Sequence, residues 1–257
     1  MKLKHIAAAV LAVAAVTPAM ALVTTTGGGD SELFLVVYGT GLAGAPNASY
    51  TLDLGISEKT FLGSQALSAT LGGTNWGSFT STIDLGTAKW AVMGGDNTGV
   101  GVGARNLLTT VQAGSGSAAS TLLTDNLTST NTNIDAYLGE VNQTGTHVTL
   151  ANGDSFNATG SLGYFLTNNG NTVNNQLPFD NSNLIGASSA FTNLIRTANG
   201  SAVNEQVQAG TLSFASVGGS YKLSYDTVPA VPEPGGIALA MTALGMLGFV
   251  GRRRKQD

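Results

Sequence analysis

The sequence predicts a mainly β fold, an antiparallel sandwich-like domain with a short helical insertion, between two apolar terminal segments. Several short runs of β-branched and aromatic residues alternate with polar residues at the period of a half-buried strand. Turn-forming Gly and Asn residues separate these runs, in a chain of 257 residues with 35 glycines and no cysteine. Strands of even spacing joined by such turns are typical of antiparallel sheets that pack face to face.

The N-terminal segment, residues 1–21, has the three parts of a secretory signal peptide. Lys2 and Lys4 precede an apolar run over residues 6–16, and Ala19 and Ala21 provide the small residues that signal peptidase accepts. The run is too short to span a bilayer well. We expect signal peptidase to cleave after Ala21.

The first strands of the body follow. Residues 31–38 are almost continuously apolar, which predicts a central strand buried on both faces. Residues 49–54 alternate apolar and polar side chains, and the loop 39–47 would join the two strands as a hairpin. Residues 79–85 and 87–93 alternate again, which predicts another antiparallel pair.

Residues 94–103 form a glycine-rich loop. Gly99, Gly101 and Ala104 match a loose form of the dinucleotide-binding fingerprint. No strand-helix-strand pattern surrounds them, so we interpret this stretch as a plain turn.

The helical candidates lie in the middle of the chain, at residues 105–111 and 118–141. In the second segment apolar residues recur at mostly three- and four-residue steps, but Asn and Thr dilute residues 128–132. We therefore expect two short helices rather than one long helix.

Two hairpins are predicted after the helical region. Residues 147–150 and 155–159 flank Asn152 and Gly153, which suit a tight turn. Residues 161–167 alternate in the same way and precede a second turn.

The last hairpin of the body has the clearest pattern. Residues 211–217 and 220–226 alternate apolar and polar side chains and are joined through Gly218 and Gly219. Residues 191–195 fit a helical turn or a short strand equally well.

Charge and composition exclude several functions for the body, residues 22–230. It carries five cations and thirteen acids, a net charge of −8. A body without a basic patch cannot neutralise phosphates, so nucleic acid is excluded as a partner and anionic lipid is disfavoured. The absence of cysteine excludes disulfides, thiolate metal sites and a cysteine nucleophile.

The C-terminal segment, residues 231–257, combines three unlike features in order. A Pro-Glu-Pro motif comes first, and fourteen residues without charge, 237–250, follow closely. With flanking glycines the uncharged run reaches the lower length for a transmembrane helix. Cations on one side of such a helix remain cytoplasmic, which leaves the body outside. The motif is Pro232, Glu233 and Pro234, and the membrane-stop cluster is Arg252, Arg253, Arg254 and Lys255.

This C-terminal segment resembles the PEP-CTERM sorting signal of Gram-negative bacteria. The resemblance implies that an exosortase-type peptidase in the membrane recognises Pro232, Glu233 and Pro234. It further implies removal of the signal and transfer of the body to the cell surface or medium. The alternative is a plain C-terminal anchor in which the motif is a stiff spacer.

Candidate chemical groups in the body are few, and we predict no catalytic residue, metal site or cofactor. His147 is the sole histidine after the leader, and a single histidine that begins a strand is more often a surface or edge residue than a catalytic one. Asp96 with Asn97, and Asn152 with Asp154 and Asn157, offer oxygen ligands to calcium, but turn formation explains them better. The aromatic residues that would stack on sugars fit a core equally well; they are Trp76, Trp90, Tyr164, Tyr221 and Tyr225.

Two functional hypotheses follow from the sequence. The first is a non-enzymatic cell-surface or matrix protein, sorted by exosortase and associated with exopolysaccharide or biofilm. The second is a secreted carbohydrate-binding or carbohydrate-active protein with the same signal, for which a pair of carboxylates at glycosidase spacing would be needed. Signal peptidase and, transiently, the membrane are expected partners under both hypotheses.

Overall fold

An antiparallel sheet of ten strands organises the part of the chain described by the computed structural model, residues 23–112, 121–150, 152–166 and 177–227. Adjacent strands of the sheet follow the order β3-β10-β9-β8-β5-β4-β1-β2-β6, and β7 pairs with β4. The strands are β1 (Glu32–Gly39), β2 (Ala48–Ser57), β3 (Ser68–Leu71), β4 (Lys89–Asp96), β5 (Asn106–Val111), β6 (Asp154–Ala158), β7 (Asn183–Leu184), β8 (Ser188–Ile195), β9 (Asn204–Val217) and β10 (Ser220–Thr227).

Strand β1 lies inside the sheet, between β2 and β4, and separates two hydrophobic cores. Leu35 and Val37 belong to one core, whereas Phe34 and Val36 on the opposite face belong to the other. All four are fully buried because both faces of the sheet are covered. The prediction of a central strand buried on both faces is confirmed.

The core that contains Phe34 and Val36 is covered by helix α3 (Thr124–Val141), a single helix where two were predicted. The polar middle of α3 does not interrupt it. Hydroxyls of Thr128 and Thr130 donate to carbonyls four residues earlier. The Asn131 amide donates to the carbonyls of Asp96 and Asn106 on the sheet. The residues that dilute the helical pattern therefore anchor the helix.

The core that contains Leu35 and Val37 lies inside a curl of the sheet. Trp90 on β4 and Phe214 on β9 lie three strands apart in the sheet order, about 14 Å in a flat sheet. Their ring centroids are 5.9 Å apart, so the sheet bends back on itself. Helices α1 (Glu58–Ser64) and α2 (Gly73–Thr82) fill the curl with Phe61, Trp76 and Phe79. The mainly antiparallel β architecture is confirmed, and its described strands join in one continuous sheet.

Two elements have the opposite type to the prediction. Residues 79–85, predicted as a strand, belong to α2 and the residues after it, because Trp76, Phe79 and Ile83 recur at three- and four-residue steps that a short alternating window hides. Residues 105–111, predicted as a helix, contain β5. That strand is β-branched at Thr109 and Thr110 and is held between β4 and β8.

The hairpin predicted over residues 147–159 does not form. Residues 147–150 are turns, and β6 pairs with β2 at the end of the sheet instead. Asn152 does adopt the left-handed conformation expected of a turn, with φ of 56°. Residues 161–166 are turns as well.

The last hairpin is confirmed. Strands β9 and β10 are hydrogen-bonded neighbours joined by Gly218 and Gly219, both with positive φ, as a two-residue turn requires. Residues 191–195, left open between helix and strand, lie in β8. Of the helices in the described residues, none combines the length and apolar character needed to cross a bilayer.

Candidate functional site

The predicted targeting residues lie outside the described residues. These are the cleavage residues Ala19 and Ala21, the motif Pro232, Glu233 and Pro234, and the cluster Arg252, Arg253, Arg254 and Lys255. The signal peptide and the transmembrane helix fall outside as well, so their roles stay predictions.

A pocket of about 530 Å³ opens between the start of α2 and the end of the sheet formed by β2 and β6. Its lining combines hydroxyl and amide groups with aliphatic carbons from Leu52 and Leu150. The polar side chains that matter most are those of Tyr50, Asn75, Thr146, Asn152 and Asp154.

Asp154, the first residue of β6, is the only carboxylate among the residues lining this pocket. The Tyr50 hydroxyl donates to its Oδ2 at 3.1 Å, while Asn75 Nδ2 at 2.9 Å and Thr146 Oγ1 at 2.5 Å donate to its Oδ1. No cation lies within ion-pair distance of it in the described residues. Neutral donors therefore orient this carboxylate beside the pocket.

The start of α2 adds hydrogen-bond donors to the same pocket. Gly72 is the N-cap and offers no capping side chain, and the first turn contains no acidic residue. The first amides of a helix have no partner within the helix. Gly72, Gly73 and Thr74 line the pocket. The pocket therefore contains backbone amide donors from the start of α2 as well as the acceptor Asp154.

Two titratable groups near Asp154 are held neutral. Burial, together with the charge of Asp154, raises the pKa of Tyr50 far above its usual range. Burial lowers the pKa of His147 to about 4, against the opposing effect of Asp154. His147 is fully buried and does not line the pocket, so the expectation of a surface or edge position for this histidine is wrong.

The oxygen-rich turns considered for calcium are used in other ways. Asp96 accepts from the amide and the hydroxyl of Thr98, as an Asx turn does, and pairs with Lys59 at 3.7 Å. Asn157 is buried away from the pocket and bonds Ser155. Among the described residues, no three His, Asp or Glu side chains are grouped so as to hold a metal ion.

Two buried acids, Asp53 and Glu58, were not predicted from the sequence as candidate site residues. Burial raises the pKa of Asp53 to about 6 and that of Glu58 to about 7, and Asp96 and Asp30 add to the rise at Glu58. Neither acid lines the pocket around Asp154. Only the tertiary structure reveals them, because Asp53 occupies the polar face of an alternating strand that sequence alone would leave to water.

The aromatic residues considered for sugar stacking belong to the core. Trp76 packs against Tyr50, Phe79 and Tyr221, and Trp90 is fully buried. The glycine-rich loop joins the antiparallel strands β4 and β5, which is not the strand-helix context of a dinucleotide site.

A smaller pocket of about 200 Å³ lies where β1 ends and β4 begins. It is lined by Tyr38, Asn47, Lys89 and Tyr164. Lys89 pairs with Asp180 at 3.0 Å. Burial raises the pKa of Tyr38 to about 12, so its hydroxyl is a neutral donor as well.

Comparison of the chain with protein-family models, curated proteins and solved structures finds no significant match.

Proposed function

We propose that this chain is an exported, non-enzymatic cell-surface or matrix protein, sorted by an exosortase-type peptidase and retained in exopolysaccharide. The observation that carries the proposal is the ordered C-terminal signal: Pro232, Glu233 and Pro234, then the apolar run, then the basic cluster. The leader with Ala19 and Ala21 supports export.

The packing and composition of the body support the proposed export. Without cysteine it must be held together by packing, and two cores on opposite faces of one sheet supply it. We interpret the curled sheet as a variant of the predicted sandwich, with α1 and α2 between its folded halves. Its sparse charge and its many Ser, Thr and Asn side chains favour hydrogen bonding to glycan with little salt dependence.

Sorting is tested in a Gram-negative host with an exosortase and in the same host without it. We expect the C-terminal segment to be lost from the native chain only where the peptidase is present, as intact mass will report. The double variant Pro232→Ala/Pro234→Ala should keep its tail and stay in the membrane. Pro229→Ala is the matched control, because Pro229 lies outside the motif. Normal processing of the double variant would contradict the proposal, and an uncleaved native chain would indicate a plain anchor.

The second candidate is carbohydrate binding, which the pocket around Asp154 favours. An oriented carboxylate, several amides and hydroxyls, and free helix amides match the alternating donors and acceptors of sugar hydroxyls. Leu52 and Leu150 offer the apolar contact that a sugar ring needs.

This candidate is tested by titrating the protein with neutral oligosaccharides of glucose and following amide resonances by NMR. We expect shifts confined to the residues of the pocket, and their loss in Asn75→Ala. Asn126→Ala on the exposed face of α3 is the matched control. Equal binding by both variants would place the sugar elsewhere.

A further inference from the structure

Two arginines face each other across the ladder of β5 and β8. The Arg196 amide donates to the carbonyl of Arg105 at 2.8 Å, and Asn106 pairs with Ile195 beside them. Directly opposite residues of an antiparallel pair project to the same face with Cβ atoms about 5 Å apart. That face is the one covered by α3, because Arg105 Nη1 donates to Thr128 Oγ1 at 2.8 Å.

Neither arginine has a carboxylate partner among the residues that the structure describes. The ion pairs of the described residues are formed by Lys59 and Lys89. The acid nearest to Arg196 by strand register is Glu205, which pairs with Leu194 and accepts from Thr192 Oγ1 at 3.3 Å. Like charges directly opposite each other in a sheet are destabilising. A body with thirteen acids thus places two of its five cations together and leaves them unpaired.

The guanidinium groups retain unused donors. Arg196 is only 9% exposed, and its Nη2 donates to Asn199. The Nε atoms of both Arg105 and Arg196 are buried and donate to nothing. A guanidinium presents its donors as a rigid fork that matches two oxygens of a carboxylate.

The start of α3 adds positive potential at this place. Thr197 N donates to Thr124 Oγ1 at 3.3 Å, which brings the residue after Arg196 against the first residue of the helix. The N-cap Leu123 has no side chain that accepts from the first turn. Asp125 in that turn is exposed and forms no ion pair with either arginine. The N-terminal end of a long helix favours anions.

We propose that Arg105, Arg196 and the start of α3 form a binding site for a carboxylate of an acidic sugar, a uronate. A site of two cations in a body of net charge −8 admits a single carboxylate, whereas polymers of dense negative charge are repelled. The uronate assignment rests on the proposed retention in polysaccharide, whereas the carboxylate assignment rests on the arginine pair and the start of α3.

The test titrates the full-length chain, in a neutral detergent, with glucuronate and follows the arginine Nε resonances by NMR. We expect saturable one-to-one binding that shifts two Nε resonances, with weaker binding of acetate and none of glucose. Arg105→Gln and Arg196→Gln should each weaken binding about tenfold or more. Lys222→Gln is the matched control, because it removes a cation from an exposed position on β10.

The lysine variants Arg105→Lys and Arg196→Lys keep the charge without the fork, so they preserve the test if a glutamine variant fails to fold. We expect intermediate affinity from folded lysine variants, as judged by circular dichroism. Native affinity in the glutamine variants, or equal binding of glucose, would overturn the site. Binding of acetate as tight as that of glucuronate would overturn the uronate assignment. Processing in the host is measured separately. A chain that is processed normally but does not bind glucuronate would therefore refute this site without refuting the proposed function.

Discussion

The buried carboxyl of Glu58 makes the stability of this protein depend on pH in a way that one substitution removes. Glu58 is the first residue of α1 and is fully buried, with Oε2 lacking any partner. The Asn106 side-chain amide donates to its other oxygen. We expect Glu58→Gln to keep that acceptor while removing the charge that burial disfavours.

The magnitude follows from the pKa, which burial raises from 4.5 to about 7. The folded state holds the proton more tightly than the unfolded chain, so the charge costs stability as pH rises from about 4.5 to about 7. At 1.36 kcal/mol per pKa unit, the full cost above pH 7 is about 3 kcal/mol. We expect Glu58→Gln to be more stable than the native protein by up to this amount at pH 8. At pH 4 the two should be nearly equal.

Urea unfolding at half-unit steps between pH 4 and pH 8 measures this difference. Other groups titrate in the same range, so the difference between variant and native protein isolates Glu58. Glu140→Gln, in the last turn of α3, is the chemically matched control. A gap between Glu58→Gln and the native protein that does not widen with pH would refute the reasoning.

Three further outcomes are expected from the same unfolding assay. Tyr137→Phe removes the 2.6 Å hydrogen bond to Thr51 and should cost about 1 to 2 kcal/mol, and an unchanged midpoint would show that the bond contributes nothing. Asn131→Leu leaves two sheet carbonyls without a donor and should cost about 3 kcal/mol, whereas a loss below about 1 kcal/mol would contradict its anchoring role. Burial lowers the pKa of His147 to about 4, so its neutral form stabilises the fold above pH 6.5 and that contribution is lost as pH falls toward 4. His147→Leu should flatten this acid-side loss, and an unaltered slope between pH 6.5 and 4 would refute it.

The elements that the sequence predicted correctly are those whose pattern admits one interpretation. β1 has apolar residues at every inner position, which only a doubly covered strand can bury. β9 and β10 alternate cleanly around two glycines whose positive φ few other residues tolerate. In both cases the local pattern and the tertiary environment demand the same structure.

The elements that failed have patterns that fit two structures. Residues 79–85 alternate over a short window, and their helical spacing becomes visible only when Trp76 is included. Residues 147–150 alternate too, but His147 is buried in a turn against Gly153. A short amphipathic segment takes the form that its neighbours can pack, so its type is a tertiary property.

The candidate sites divide in the same way. The Pro-Glu-Pro motif, the apolar run and the basic cluster are contiguous in the chain, so the proposed sorting signal is identified directly from the sequence. The sequence alone thus determined the proposed destination of the protein, its acidic body and its dominant β character. The tertiary structure alone brought Asp154 to Asn75, placed Arg105 opposite Arg196 and buried Glu58. These contacts join residues distant in the chain, and strand order, curl and register decide them, none of which a local pattern encodes.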